Sequence, residues 1–298
     1  MEYILGIDAG GTKTASTLYD ENQKQICTHL CGMGNMVVDR DDALSNIAQA
    51  IDECTKNLSL KAKVHVYIGA AGITAGDNTK VMHEYLLGKH PNYNITILSD
   101  GHLALYAGLK DNDGIVISSG TGSIGYGMCE GEIIRVGGWG HLIGDEGSGY
   151  MIGISAIRDI YSHHDENREF SPLNNAIFDK LGTRDIYSIE GFVYSKDKSS
   201  IASLAHTVSD MAINGDKQAI DLLKKTGEDI NHLIDTIYNR QAYKDEFKIV
   251  MRGSIGTKIN IINEHIKAHV SKKYIKATIE FDKASATLGA YYIHRRSK

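Results

Sequence analysis

Residues 6–14, GIDAGGTKT, contain two glycines spaced as in a phosphate-binding loop of the Walker type. In a Walker loop a lysine and then a serine or threonine follow the second glycine directly. Here Thr12 occupies the lysine position, and Lys13 comes one residue late. A glycine turn of any type can still offer backbone N–H groups to a phosphate, and Asp8 is placed to hold a hydrated metal ion.

The segment after these glycines distinguishes the two kinds of loop. A Walker loop leads directly into a helix whose N-terminus faces the phosphate. The following residues, KTASTLYDENQKQICTHL, instead alternate, turn at DENQ and alternate again. This pattern is typical of two strands. We therefore reject a Walker loop and predict a glycine turn between antiparallel strands.

The same layout recurs over residues 114–136, GIVISSGTGSIGYGMCEGEIIRV, with SGTGS as its glycine turn. Internal duplication of this kind indicates two similar halves. Each half then continues with alternating helical and strand patterns, so we predict a βββαβαβα order twice. A phosphate-binding turn in each half predicts a nucleotide held in the cleft between two domains.

The predicted domains are residues 1–112 and a larger second domain over residues 113–298. The second domain carries a helical insertion at about 160–215, and its last helix is free to pack back on the first domain. A chain of 298 residues is long enough for two such domains.

The composition is that of an ordinary globular protein, with 42% hydrophobic and 23% charged residues. The net charge of −5 argues against a general nucleic-acid-binding surface. Four cysteines in a chain of this length do not form a disulfide framework. We find neither a leader sequence nor a bilayer-length apolar run, so we expect a cytoplasmic protein with no membrane partner.

DAGGTKT and SGTGS resemble the two phosphate motifs of the actin, heat-shock chaperone and sugar kinase superfamily, and VMRGSIG resembles its adenosine motif. The resemblance implies an α/β fold of two actin-like (ribonuclease H-like) domains, with ATP and Mg²⁺ as cofactors. It assigns Asp8 to the metal. It assigns the nucleotide to Gly10, Gly11, Thr12, Lys13, Gly120, Thr121, Gly122, Gly253, Ser254 and Gly256.

Residues 137–150, GGWGHLIGDEGSGY, resemble a signature of N-acetylglucosamine kinases and their bacterial amino-sugar kinase relatives. An indole can pack on the apolar face of a sugar ring, and a carboxylate can accept hydrogen bonds from its hydroxyls. The resemblance accordingly places Asn35, Gly138, Trp139 and Asp145 at the sugar. Glu146 remains open between a sugar contact and a helix cap.

Asp100 lies where a predicted strand leads into a helix, in LSDGHLAL. One interpretation is a helix N-cap, for which aspartate is favoured. The resemblance instead makes Asp100 the catalytic base, which binds the sugar and takes the proton of its 6-hydroxyl.

The resemblance implies a homodimeric, ATP-dependent kinase that phosphorylates the 6-hydroxyl of N-acetylglucosamine, N-acetylmuramic acid or both, in cell-wall sugar salvage. Mammalian-type N-acetylglucosamine kinases have an asparagine where this chain has Ile124, which leaves the acceptor sugar open. A glucosamine kinase is one alternative. Another is an ATPase that activates a 2-hydroxyacyl-CoA dehydratase-type enzyme through an iron–sulfur cluster, although no cysteine follows Cys129. A non-catalytic filament former or sugar-sensing repressor is the third.

Overall fold

A computed structural model describes residues 1–59, 61–243, 246–282 and 284–298. The chain divides into two compact units, Met1–Asn112 with Ala284–Lys298, and Asp113–Lys283. The C-terminal residues 284–298 thus belong to the first unit, whereas the predicted second domain included them. None of the helices in the described residues combines the length and apolar character needed to cross a bilayer.

The first unit is built on a five-stranded mixed sheet with helices on its faces. Its strands lie in the order β3-β2-β1-β4-β5. The first three are antiparallel to one another, whereas β4 is parallel to β1 and β5 is parallel to β4. The elements are β1 (Glu2–Ala9), β2 (Thr14–Asp20), β3 (Gln25–Cys31), α1 (Arg40–Thr55), β4 (Lys63–Ala70), α2 (Asn78–Lys89), β5 (Asn94–Ser99) and α3 (Asp100–Leu109).

Helix α1 shows how the sequence pattern forms this unit. Leu44, Ile47 and Ile51 recur at helical spacing and are buried against the sheet. The carboxylate of Asp39 accepts the backbone N–H of Asp42 and so caps the first turn. Apolar spacing and the cap together fix both the start of the helix and its buried face.

The second unit repeats the arrangement, with a sheet in the order β10-β9-β6-β7-β8. Its strands are β6 (Gly114–Ser119), β7 (Ser123–Cys129), β8 (Glu132–Gly137), β9 (Phe247–Arg252) and β10 (Ala277–Phe281). Its helices are α4 (Gly149–Asp165), α5 (Pro172–Leu181), α6 (Ile186–Ser195), α7 (Lys198–Ala202), α8 (Leu204–Ile213), α9 (Lys217–Arg240), α10 (Ser254–Lys258) and α11 (Asn260–Lys273).

Both sheets place two antiparallel strands on one side of a central strand and two parallel strands on the other. This common order confirms the predicted α/β fold class of two similar halves. Asp216 caps the long helix α9 after the turn at Gly215, which separates it from α8. Ile259 likewise separates α10 from α11.

The C-terminal segment packs into the first unit through a short turn (Ala286–Leu288) and helix α12 (Gly289–Arg296). A Cβ at Gly6 would lie 2.1 Å from the carbonyl oxygen of Thr287, and one at Gly289 would lie 2.0 Å from that of Leu103. Two glycines therefore let this segment approach β1 and α3 at backbone distance. The Tyr67 hydroxyl also lies 3.0 Å from Nδ1 of His294.

Glu2, at the start of β1, forms an ion cluster with Lys298 of the C-terminal segment and with His65 of β4. Its carboxylate accepts a 2.6 Å hydrogen bond from Lys298 and lies 2.7 Å from Nε2 of His65. The bond from Lys298, followed by that to His65, outweighs the desolvation of burial and lowers the pKa of Glu2 to about 2, from 4.5.

We predict that Glu2→Gln removes an acid-dependent part of the stability. Because the folded pKa lies below the ordinary value, ionised Glu2 stabilises the fold above pH 4.5, and this contribution is lost as the pH falls to about 2. Over this interval the wild type should lose on the order of 1 kcal/mol more unfolding free energy than the variant. The expected difference is small because the cluster is partly exposed to solvent, which screens its charges. Urea unfolding at several pH values measures this. Glu53→Gln, which removes an exposed pair with Lys56, is the control and should have a smaller effect.

Candidate active site

The parallel strands of the first unit bring three chain segments to one edge of the sheet. Ala9 of β1 pairs with Ala70 of β4, and Ala70 pairs with Ser99 of β5. The glycine turn over residues 10–13 follows Ala9, and Asp100 follows Ser99. The strand register alone therefore places the first phosphate turn and the predicted base at the same edge.

Asp8 and Asp100 lie on either side of a single glycine. Asp8 pairs in register with Gly69, and a Cβ on Gly69 would lie 3.1 Å from Cα of Asp100 and 2.8 Å from Cβ of Leu103. Only glycine lets helix α3 start this close to β4. Two carboxylates thereby share the sheet edge.

Asp100 is the first residue of α3, and its side chain is exposed. The cap of this helix is Ser99, whose hydroxyl accepts the backbone N–H of His102. Within the described residues, the Asp100 carboxylate accepts a local 2.9 Å hydrogen bond from the N–H of Gly101. The capping role considered for Asp100 therefore belongs to Ser99, and the Asp100 carboxylate faces solvent.

His102 is a neighbour of Asp100 that the sequence reasoning missed. Its Nδ1 lies 2.7 Å from the Ser99 hydroxyl. Burial lowers the pKa of His102 below its ordinary value, although the nearby Asp100 charge acts in the opposite direction. The ring is therefore neutral at neutral pH and adds no charge beside the carboxylate.

The first glycine turn is closed by a 2.9 Å bond from the Gly10 amide to the Lys13 carbonyl. Within the described residues, the amides of Gly11 and Thr12 donate to no backbone carbonyl, and both residues are exposed. Two adjacent amides in exposed residues without a backbone acceptor suit an anion such as phosphate. Lys13 is also exposed, and its predicted phosphate contact stays a prediction.

Asn35 is held next to this turn by the segment GMGN. The amide of Gly34 donates to the Gly10 carbonyl, and a Cβ on Gly34 would lie 2.5 Å from Cβ of Ala9. The side-chain oxygen of Asn35 accepts the N–H of Val37 at 2.9 Å. This local bond orients the side chain, so its NH₂ group is the part left to donate to a ligand.

The second glycine turn, residues 120–122, is joined to the start of helix α4. The amides of Gly149 and Tyr150 donate to the carbonyls of Gly120 and Thr121, at 2.8 and 3.2 Å. The first amides of α4 are thus used by the turn itself. In the described residues the amides of Thr121 and Gly122 have no backbone acceptor, so they keep the capacity to donate to a ligand.

The segment 137–150 folds directly onto this second turn. Ser119 and Ser123, on either side of the turn, donate their hydroxyl protons to the carbonyls of Gly147 and Glu146, at 2.6 and 2.5 Å. Ser148 caps helix α4, and the side chain of Glu146 is exposed. The capping role considered for Glu146 therefore belongs to Ser148.

Asp145 is only 4% exposed and has a positive φ of 66°. One of its carboxylate oxygens accepts the backbone N–H of Ser123 at 3.4 Å, and the other pairs with the ammonium of Lys198. The predicted sugar-binding acid therefore contacts the phosphate turn and a lysine from helix α7. A buried carboxylate in strained backbone is typical of a functional position.

Trp139 is the one tryptophan of the chain, and its side chain is 62% exposed. The guanidinium of Arg135 lies over the ring, 4.4 Å from its centroid, and donates hydrogen bonds to the carbonyls of Gly137 and Gly138. Arg135 thus fixes the ring from one face. A Cβ on Gly138 would lie 2.5 Å from Ile124, so Ile124 packs against the base of the tryptophan loop.

The adenosine-type turn after β9 lies against the second phosphate turn. Gly253 has φ 82° and ψ 160°, and a Cβ there would lie 2.3 Å from the Ser119 carbonyl oxygen. A Cβ built on Gly256 would lie 3.5 Å from Cβ of Ser119. A pocket of about 170 Å³ opens beside these turns, and it is lined by Gly120, Thr121, Gly149, Ser199, Ala202, Ser203, His206, Ser254 and Ile255.

This pocket is lined in part by Ser199 of α7, by Ser203 between α7 and α8, and by His206 of α8, and Lys198 of α7 lies at the turn. Sequence reasoning missed all four residues. We predicted only a helical insertion in this region, because no spacing within residues 160–215 relates them to the distant glycine turns. The serine-rich run KDKSSIAS is the one local signal that could have drawn attention to them.

The chain belongs to the BadF/BadG/BcrA/BcrD ATPase family, whose sequence model matches residues 5–291. This assignment confirms the family resemblance drawn from the glycine turns. The protein is 28% identical to an N-acetylmuramic acid/N-acetylglucosamine kinase of Clostridium acetobutylicum, over 99% of each chain. It is 26% identical to the glucosamine kinase GspK of Vibrio cholerae, over 87% of each chain.

The fold is similar to the crystal structure of a proposed N-acetylglucosamine kinase from Chromobacterium violaceum. The two superimpose with a TM-score of 0.78 over 97% of each chain, at 21% identity. This similarity confirms the predicted fold class.

We predict that Gly253→Ala destabilises the second unit by about 3 kcal/mol, because alanine does not adopt this backbone conformation and its Cβ would meet the Ser119 carbonyl. Gly131→Ala is a matched control, with a similar φ of 85° but no atom within 4 Å of the added Cβ. It should cost about 1 kcal/mol. Urea unfolding followed by circular dichroism compares the two, and equal losses would contradict the close approach.

Proposed function

We propose that this protein is a kinase that transfers the γ-phosphoryl group of ATP to the 6-hydroxyl of an N-acetylated amino sugar, N-acetylglucosamine, N-acetylmuramic acid or both. One observation carries the proposal: residues 137–150 hold the second phosphate turn and also carry Trp139 and Asp145. A single segment thereby couples a nucleotide-type turn to an aromatic and an acidic group suited to a sugar. The names of the relatives from Clostridium acetobutylicum and Vibrio cholerae support an amino-sugar acceptor.

The proposed nucleotide contacts are the glycine turns of the two units. Gly10, Gly11, Thr12 and Lys13 of the first unit, and Gly120, Thr121 and Gly122 of the second, would bind the phosphates. Gly253, Ser254 and Gly256 would contact the adenosine, next to the pocket that Ser199 and His206 line. The placement of ATP between the two domains stays a prediction.

In the proposed reaction, the 6-hydroxyl oxygen of the sugar bonds to the γ-phosphorus, and the bond from this phosphorus to the β–γ bridging oxygen breaks. The hydroxyl proton goes to the carboxylate of Asp100, and ADP leaves with the electron pair. The exposed position of Asp100 at the sheet edge supports this role, because the carboxylate is not used as a helix cap. A positioned base of this kind contributes about 10²–10⁴-fold to the rate.

Asp8 is the proposed ligand of Mg²⁺. A half-buried carboxylate at the edge that carries the first phosphate turn fits a hard cation that keeps part of its water shell. When bound, Mg²⁺ supplies charge neutralisation to the phosphates.

Asn35, Gly138, Trp139 and Asp145 are the proposed sugar contacts, along with Asp100. Ile124 supports a relaxed choice of acceptor, because its apolar side chain packs on Gly138 at the position where mammalian-type N-acetylglucosamine kinases have an asparagine. At position 124 the lactyl ether of N-acetylmuramic acid would contact an apolar side chain, and such an acceptor does not depend on the missing amide. Glucosamine is the second candidate acceptor, and the relative GspK favours it.

Activation of a dehydratase-type enzyme through an iron–sulfur cluster is less well supported. Cys27, Cys31 and Cys54 pack on the apolar core of the first unit. Burial raises the pKa of Cys54 to about 12, and no cysteine follows Cys129 in the sequence to add a ligand from the second sheet or its helices. Purified protein without visible absorbance would support the kinase over this alternative. A cytoplasmic homodimer that serves sugar salvage completes the proposal.

We predict that Asp100→Asn lowers kcat by about 10²–10⁴-fold, since the amide cannot accept the hydroxyl proton. A coupled ADP-release assay with N-acetylglucosamine, N-acetylmuramic acid, glucosamine and glucose measures this and identifies the acceptor. Asp41→Asn, at an exposed site in the first turn of α1, is the control and should keep wild-type turnover. Near-wild-type turnover of a folded Asp100→Asn protein would show that this base assignment is wrong.

We further predict that Trp139→Ala raises the KM for the sugar about tenfold and leaves the KM for ATP unchanged, because the lost contact is ring stacking. Trp139→Phe should keep much of the affinity. Leu142→Ala is a control in the same loop, since Leu142 is at least as exposed as Trp139 and has no assigned role. Equal effects of Trp139→Ala and Leu142→Ala would remove the tryptophan from the sugar site.

A further inference from the structure

Lys198 has no role in the reaction described so far, yet its ammonium lies at the second phosphate turn. A Cβ built on Gly122 would lie 2.6 Å from Nζ of Lys198, and 3.1 Å from the carboxylate of Asp145. Lys198 and Asp145 therefore occupy the space directly in front of this glycine. Any larger residue at position 122 would displace the ammonium.

Helix α7 is fixed in place by close packing on α4. A Cβ on Gly153 would lie 2.1 Å from the carbonyl oxygen of Ile201, and one on Gly149 would lie 3.4 Å from that of Ala202. Ile201 is buried in a small apolar cluster with Tyr150 and Ile154. The segment that follows Asp145 in the chain thus also positions the lysine that pairs with it.

The ammonium retains capacity for a ligand. Lysine offers three N–H donors, and Asp145 uses one of them. The Lys198 side chain is 28% exposed, whereas that of Asp145 is 4% exposed, so the pair is open on the lysine side. The amides of Thr121 and Gly122, which have no backbone acceptor among the described residues, lie on the same turn.

We infer that Lys198, with the amides of Thr121 and Gly122, forms the subsite for the terminal phosphate of ATP. The terminal phosphate is the ligand because the subsite adjoins Asp145, the acid that the proposed function assigns to the acceptor sugar. A fixed cation at this position stabilises the charge that spreads over the phosphoryl oxygens during transfer. That this phosphate is the group transferred to the sugar rests on the proposed function. That the subsite binds a phosphate does not.

A simpler role for Lys198 is to neutralise the buried carboxylate of Asp145. Removing one partner of such a pair leaves an uncompensated charge and destabilises the protein, whereas removing both does not. The two roles therefore differ in a double variant. Lys198→Met with Asp145→Asn restores stability in either case but restores phosphate binding only if neutralisation is the sole role.

The test measures the affinity of Mg²⁺ complexes of ADP and of the non-hydrolysable ATP analogue AMP-PNP by calorimetry, without sugar. Lys198→Met should weaken AMP-PNP binding by about 10- to 100-fold, as expected for lost charge-assisted hydrogen bonds, with little change for ADP. Lys196→Met removes a neighbouring exposed lysine and should change neither affinity. The double variant should keep the AMP-PNP defect while its unfolding midpoint returns toward wild type.

An unchanged ratio of AMP-PNP to ADP affinity in a folded Lys198→Met protein, or full recovery in the double variant, would overturn the inference. These outcomes are independent of the sugar assay. If the wild-type protein releases no ADP with any of the sugars, the proposed kinase activity is wrong. Calorimetry still tests the phosphate subsite in that case. In an active enzyme, Lys198→Met should also lower kcat more than it raises the KM for sugar.

Discussion

Parallel pairing about the central strand of each sheet determines where chemistry can occur in this protein. In the first unit, β1, β4 and β5 end in register, so the residues that follow them meet at one edge. In the second unit, β6 and β9 are parallel, and their ends bring residue 119 beside residue 253. In each unit, the glycine turn that follows the central strand lies at this edge, as expected for an α/β sheet.

The candidate site residues also depend on close approach between backbone segments, and a glycine permits this approach at each of them. Gly69 lets α3 begin beside β4, the strand that pairs with the one carrying Asp8, and Gly253 lies on the Ser119 carbonyl. A glycine also lets a neighbouring helix pack on α4, at Gly153. A side chain at any of these positions would separate the groups that the site needs together. The glycines are therefore tertiary contacts as well as turn residues.

The buried carboxylate of Asp145 connects packing with charge. Its position behind the second turn excludes water from most of its surface, and a carboxylate in such a place needs hydrogen bonds and a cation. The Ser123 amide and Lys198 supply them. The segment from residue 137 to α4 thus links an exposed aromatic ring, a buried acid and a phosphate turn in consecutive residues.

The sequence by itself determined the duplicated strand–turn–strand pattern, the fold class and the family, because these depend on local periodicity and on glycine spacing. Alternation after Gly11 excluded a helix, and the structure has strand β2 there. The apolar face of α1 was equally evident from Leu44, Ile47 and Ile51. The ambiguity between cap and base at Asp100 could not be resolved locally, since Ser99 and Asp100 are both good capping residues.

Only the tertiary structure placed Lys198, Ser199 and His206 beside the second turn, and only it assigned residues 284–298 to the first unit. Lys198 is 53 residues from Asp145 in the chain, so their pairing leaves no spacing pattern. The contact exists because Gly153 of α4 and the apolar cluster around Ile201 hold the short helix α7 against α4. Long-range packing of this kind depends on the shape of both surfaces, which local sequence patterns do not encode.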